Sequence, residues 1–166
     1  MTAAELIASL KLEPLPLEGG YYRQTYQSDE TLAKDQLKGD YPQDKCLYTA
    51  IYYLLTPDTK SALHLLPTDE IFHFYLGDPV TMLNLFDDGT SGLITLGHDL
   101  SRGHRVQYKV PQHTWQGSIL MPGGHYALMG TTMAPGFDFS DYQGADQQAL
   151  VNQYPEHKQL INLLTS

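Results

Sequence analysis

The segment HLLPTDEIFHFYLG, from His64 to Gly77, sets two histidines and two acids, Asp69 and Glu70, among apolar and aromatic residues. Three chemistries are open to such a set. Imidazole and carboxylate oxygen together suit several divalent metals. A carboxylate can also orient an imidazole as a general base. Otherwise the polar groups merely flank a core. Strand parity divides the set, because alternate side chains of an extended chain share a face. In EIFHFYL, Glu70, Phe72, Phe74 and Leu76 fall on one face, and Ile71, His73 and Tyr75 on the other. In SALHLL, Ala62, His64 and Leu66 share a face. His73 is therefore not a neighbour of Glu70. It reads as a half-buried histidine with its own hydrogen-bond partner, or as an interface residue. Asp69 reads as turn chemistry.

The elements that must position these residues are short strands. TAAE opens the chain as a capping box, Thr2 with Glu5, and Leu6, Ile7 and Leu10 then share a helical face. EPLPLEGG ends that helix. About nine strand-like segments follow: GYYRQTY, LYTAIYYLLT, SALHLL, EIFHFYL, VTMLNLF, GLITLG, HRVQYKV, WQGSILM and YALMGTTM. Turn residues separate them, as in TPDTK, DDGTSG and PGGH. This spacing predicts a sandwich or barrel and not alternating β/α units. Residues 27–46 form the longest irregular piece. DQQALVNQY and PEHKQLINLL are predicted helices, the second packing through Leu160, Ile161, Leu163 and Leu164. The 166 residues are expected to form a single domain, 1–166.

Composition removes several classes. The net charge of -9 disfavours phosphate backbones and anionic membranes, so neither nucleic acid nor membrane is an expected partner. No stretch reaches transmembrane length, the N-terminus lacks a signal-peptide pattern, and Cys46 is the one cysteine. A cytoplasmic protein is expected, with Cys46 in the core. No P-loop, GxSxG, CxxC or HExxH motif is present.

Glu70 to Gly77 fits the end of the first cupin motif, an acid, six residues and a glycine. His64 falls at that motif's first histidine, and Leu66 at its second. The second cupin motif has a proline, a glycine two later and a histidine three after that; here Pro111, His113 and Gln116 stand in those places. EGGYYRQTY, SALHLLPTDEIFHFYLG, VPQHTWQGS and MAPGFDFSDY, spread over residues 18–142, closely resemble a cupin subfamily of unassigned function described as DUF985 or Cupin_5. The resemblance implies an all-β, double-stranded β-helix (a jelly-roll or cupin barrel) with a short N-terminal helix and C-terminal helices. It also implies a homodimer and a pocket inside the barrel for a small-molecule ligand. It implies no particular reaction. Members are sometimes labelled sugar epimerases by analogy of fold, and one fold hosts many chemistries.

In the cupin frame Glu70 points into the barrel and His64 lies across from it, making these two the candidate catalytic pair. The frame's metal set falls on His64, Leu66, Glu70 and Gln116. Leucine cannot ligate and an amide ligates weakly, so no cofactor is required. A divalent metal held weakly by His64, Glu70 and Gln116 is the alternative. Arg23, Tyr53, Phe72, Phe74, Trp115 and Gln116 are the expected pocket residues, with Met82 in the apolar lining. Arg23 would take an anionic group, an internal acid or an interface. Tyr22, Tyr48, Tyr52, Tyr53 and Tyr126 are candidate proton donors. PGFDFSDY is expected to fold over the barrel with Phe137 and Phe139 buried and Asp138 and Asp141 at the mouth. His98, His104 and His125 read as surface residues and His113 as a pocket rim. Ten lysines and arginines in all leave little for a diphosphate cradle, which counts against a nucleotide sugar. Three functions remain. The first is a small-molecule-binding cupin with isomerase- or epimerase-like activity on a carbohydrate or related metabolite. The others are a non-catalytic metabolite-binding or sensing protein, and a metal-dependent cupin enzyme such as a dioxygenase.

Overall fold

The structure, a computed structural model, describes residues 1–39 and 41–165. Helix α1 (Ala3–Leu10) begins at the predicted capping box: Thr2 Oγ1 accepts from the Glu5 amide, and the Glu5 carboxylate accepts from the Thr2 amide at 2.7 Å. Lys11, in the left-handed conformation, ends it. Leu6 then packs with Leu54 and Leu128.

The strands are β1 (Glu13–Pro14), β2 (Tyr21–Gln27), β3 (Thr31–Leu32), β4 (Lys45–Cys46), β5 (Thr49–Leu55), β6 (Lys60–Leu65) and β7 (Glu70–Gly77). They continue with β8 (Val80–Leu85), β9 (Ser91–Leu96), β10 (Gln107–Val110), β11 (Trp115–Leu120), β12 (Ala127–Met133) and β13 (Gln143–Gly144). Every segment predicted to be extended carries a strand. A six-stranded sheet runs β1-β2-β5-β12-β7-β10 and a five-stranded sheet β13-β6-β11-β8-β9, with antiparallel pairing inside both. Two such sheets facing one another make the jelly-roll barrel, and the inward residues alternate with outward ones along each strand. Tyr53, Phe72, Phe74, Met82 and Met129 fill the interior.

Helices α2 (Gln147–Gln153) and α3 (Lys158–Thr165) cover the outer face of the second sheet, where Leu63, Leu83 and Leu85 meet Leu150, Tyr154, Ile161 and Leu164. Leu163 departs from expectation and is 47% exposed. Positions three apart share a helical face, so Ile161 and Leu164 turn inward and Leu163 turns away.

The described residues of the 27–46 loop are more ordered than its composition suggests. The loop holds the β3–β4 ribbon and buries Tyr41 and Lys45. The Lys45 ammonium donates to the buried Asp141 carboxylate and lies 5.9 Å from the centre of the Tyr41 ring. This pair ties β4 to the 134–142 segment. Within that segment Phe139 is exposed, contrary to expectation, with its ring edge-on to half-buried Phe137 at 5.2 Å. Asp141 is a buried partner of Lys45 and not a mouth residue. His104 is buried instead of superficial. Gly97 makes room for it: a Cβ there would come within 2.6 Å of His104 Nδ1. Among the described residues no helix is long and apolar enough to cross a membrane.

Candidate functional site

A cavity of about 260 Å³ opens at the end of the barrel where β7 begins. That is just below the roughly 300–1,000 Å³ of pockets for drug-sized ligands. Register explains its wall. Gln27, Thr49, Met133 and Glu70 are successive cross-strand partners on β2, β5, β12 and β7, and all line it. The next inward row contributes Gln24, Ile51 and Thr131. A register shift between Gln24 and Tyr26 turns Gln27 inward in place of Tyr26. Phe137, Asp138, Phe139 and Tyr142 close the mouth from the segment that Lys45 anchors.

Glu70 is the chemical centre of this wall. It is 7% exposed and accepts from Gln116 Nε2 at 2.7 Å. Burial, and then the nearby charge of Glu18, push its carboxyl up from 4.5 to about 7; His64 and hydrogen bonds from Thr131 and Gln116 act the other way. A carboxyl half-protonated near neutrality can both give and take a proton.

Glu18 arrives from the segment before β2. Gly19 and Gly20, at φ 93° and 73°, turn the chain tightly against β6, and a Cβ on Gly19 would stand 2.6 Å from the Lys60 carbonyl oxygen. The Glu18 carbonyl accepts from the Ala62 amide at 2.8 Å, and Ser61 Oγ donates to Glu18 Oε1 at 2.7 Å. Tyr53 donates its hydroxyl to the Gly19 carbonyl at 3.0 Å. Burial, and then Glu18, raise the Tyr53 phenol well above its ordinary value.

His64, on β6, is 1% exposed. Its Nδ1 is 2.7 Å from the Ala62 carbonyl oxygen, which can only accept, so Nδ1 carries the proton. Nε2 has no hydrogen-bond partner and lies 3.9 Å from Glu18 Oε2. The ring stacks on Tyr142, centroids 5.2 Å apart. Burial, followed by the charge of Glu18, pushes the Tyr142 phenol up to about 12.

Of the residues expected in the pocket, Glu70 lines the cavity, whereas His64 and Gln116 stand behind the wall, His64 against Glu18 and Tyr142 and Gln116 against Glu70. The carboxylate beside His64 Nε2 is that of Glu18. Tyr53, Phe72 and Phe74 are core residues and do not line the cavity. Phe72 and Phe74 share the face of Glu70 but lie deeper in the barrel. Trp115 packs in the helix-covered cluster, the opposite face from its neighbour Gln116. Arg23 lies over the Tyr52 ring at 5.4 Å, on the face opposite Tyr22, and does not reach the cavity. Of the candidate tyrosines, Tyr22 lines the cavity; Tyr48, Tyr52, Tyr53 and Tyr126 do not. His113 is exposed and is not a lining residue. His73 faces away from Glu70, as parity requires, and its Nε2 pairs with Thr132 Oγ1 at 3.1 Å. Glu18 and Tyr142 are the residues that sequence reasoning missed. The signals were Glu18 before a double glycine and Tyr142 closing an unusually apolar loop.

The donor set does not fit the usual cupin metal. Leu66, at a ligand position, is buried and lines the cavity. Gln116 directs its amide nitrogen at Glu70. Among the described residues no group of three or more His, Cys, Asp or Glu is placed to hold an ion.

A family profile described as Cupin_5, Cupin superfamily (DUF985), matches residues 4–145. An uncharacterised protein of Saccharomyces cerevisiae is 28% identical over 133 residues, covering 75% of this chain and 66% of the yeast protein, a little under two thirds of that relative's length. Among solved structures, a protein of Shewanella oneidensis superposes with a TM-score of 0.87 at 32% identity, over 100% of this chain and 98% of the other. A hypothetical protein of Leishmania major gives 0.86 at 29% identity, over 99% of each chain. A Bacillus subtilis oxalate decarboxylase variant gives 0.54 at 13% identity, covering 93% of this chain and 38% of that one, a likeness of fold.

Proposed function

The chain belongs to the Cupin_5 (DUF985) family of the cupin superfamily, and from that premise we propose that it binds a small polar metabolite in its barrel and moves a proton on it. The reaction class is that of an isomerase or epimerase acting next to a carbonyl group, on a carbohydrate or related compound. One observation carries this reading: a cavity-lining carboxyl, Glu70, poised at about 7 in a largely apolar wall. Catalytic carboxyls are tuned in this way by burial and a neighbouring charge.

In this reading ionised Glu70 takes the proton from the carbon beside the carbonyl. The electron pair moves onto the carbonyl oxygen, and a phenol that stays protonated, Tyr142, supplies a hydrogen-bond donor for it. Glu70 then returns the proton to the former carbonyl carbon, while the neighbouring hydroxyl gives up its proton to the former carbonyl oxygen and becomes the new carbonyl; return to the same carbon from the same face restores the substrate with a hydrogen taken from solvent. His64 is a positioning residue, holding Tyr142 by stacking and facing Glu18.

The test is deuterium wash-in. Small aldoses and ketoses are incubated with the protein in deuterium oxide, and the signal of the hydrogen beside the carbonyl is followed by proton NMR. The wild type is expected to exchange that hydrogen on at least one sugar, and Glu70→Gln to lose the exchange. Equal exchange in both proteins would overturn the assignment. Binding without exchange would make the chain a metabolite-binding protein.

A further inference from the structure

The ionised groups on the cavity wall carry one sign. Glu18, Glu70 and Asp138 line it, and among the described residues no lysine, arginine or histidine does. The cation beside the mouth, Lys45, is held by Asp141, and Arg23 lies on the other side of its sheet over Tyr52. Behind the wall two buried atoms have no hydrogen-bond partner, His64 Nε2 and Gln116 Oε1. Gln116 Oε1 is an acceptor, because Nε2 of the same amide donates to Glu70. The wall thus sets carboxylates beside the aromatic rings of Tyr22, Phe137 and Tyr142. An ammonium group offers three donors and no acceptor, and it is attracted to aromatic faces. A carboxylate or phosphate would meet like charge with no cation among the described lining residues to offset it.

We propose that the cavity selects a small amine-bearing metabolite, an amino sugar or similarly compact amino alcohol, with its ammonium group between Glu18 and Glu70. This rests on the reading of the cavity as the ligand site, but not on proton transfer. It excludes nucleotide sugars and small dicarboxylates as ligands.

The groups facing Glu70 are Glu18 from the segment before β2, Tyr53 from β5, His64 from β6, Gln116 from β11 and Thr131 from β12. An ammonium placed among them favours ionised Glu70, so its binding near neutrality expels the Glu70 proton to solvent.

The experiment is isothermal titration of the wild type, at a pH near the Glu70 value of about 7. Two matched series serve as probes: glucosamine, glucose and glucuronate; and cyclohexylamine, cyclohexanol and cyclohexanecarboxylate. The amine of at least one series is expected to bind about tenfold or more tighter than its alcohol, and the acid weakest. Buffers of different ionisation enthalpy should report proton release with the amine, lost in Glu70→Gln. Glu18→Gln should shrink the amine preference at unchanged circular dichroism. Alcohol or acid binding as tightly as the amine in both series, or no amine binding in either, would overturn the proposal. The selectivity is read on the wild type, so a misfolded variant does not remove the test. Absence of deuterium wash-in in the wild type with amine selectivity intact would sink proton transfer alone; wild-type wash-in with no amine preference would sink this proposal alone.

Discussion

Glu70 is held in the barrel against its own ionisation, and stability must register that. Its carboxyl titrates near 4.5 in the unfolded chain and about 7 in the fold. Between those values the folded state keeps a proton that the unfolded state has lost, so stability is greatest below the lower value and falls as pH rises through the higher. The full difference is on the order of 3 kcal/mol. Glu70→Gln keeps an oxygen for Gln116 Nε2 and removes the titration. In urea denaturation the wild type should lose about that amount relative to Glu70→Gln between about pH 4 and about pH 8. Parallel pH profiles would mean that Glu70 titrates normally. Glu70 was legible because an acid, six residues and a glycine follow a strand pattern. Glu18 was not: its contacts with Ser61 and His64 join segments more than forty residues apart, as the bond from Ser61 (43 residues away) shows. The double glycine in LEGGYY marks a tight turn but does not name the partners that Glu18 meets across it.

At the scale of elements, parity along a strand predicts which face a side chain takes but not how deep it lies. Glu70, Phe72 and Phe74 share a face, yet only the residue at the start of β7 meets the cavity. Depth depends on where a strand begins relative to the rim, which is a property of the assembled sheets. The same limit applies to α3, whose apolar residues were legible as a set while the packed pair, Ile161 and Leu164, was not. Ile161→Ala should cost about 2–5 kcal/mol by cavity formation, whereas Leu163→Ala should stay within about 0.5 kcal/mol. Equal losses in denaturant titrations would contradict the packing described. The Lys45–Asp141 pair gives a sharper case. Removing one partner leaves a buried charge alone, so Lys45→Ala or Asp141→Ala should each cost about 3–5 kcal/mol. A Lys45→Met/Asp141→Leu double variant should recover most of that loss. The single variants should also loosen the 134–142 segment, read as faster proteolysis there, because the pair is its tie to β4.

For the whole molecule, charge acts at two ranges that salt can separate. The net charge of -9 surrounds the protein with a negative field that draws any cation and repels any anion. Glu18, Glu70 and Asp138 act at contact distance inside the cavity. Between about 10 mM and 150 mM salt the screening length shrinks from about 30 Å to about 8 Å. Such salt removes most of the long-range attraction while leaving partly buried contacts little changed. Amine affinity should therefore fall several-fold over that range, and the affinity of the matched alcohol should stay level. The preference for amine over alcohol should nevertheless survive in the wild type at the higher salt and shrink in Glu18→Gln at either salt. A preference that vanished with salt would assign the selectivity to overall acidity instead of the cavity carboxylates. The fold was legible at this scale because cupin-like spacing and alternation recur along most of the chain. The charge of the cavity was not, because composition counts acids without placing them: Arg23, the cation expected to face a ligand, stacks on Tyr52, and Glu18 joins Glu70 and Asp138 on the wall.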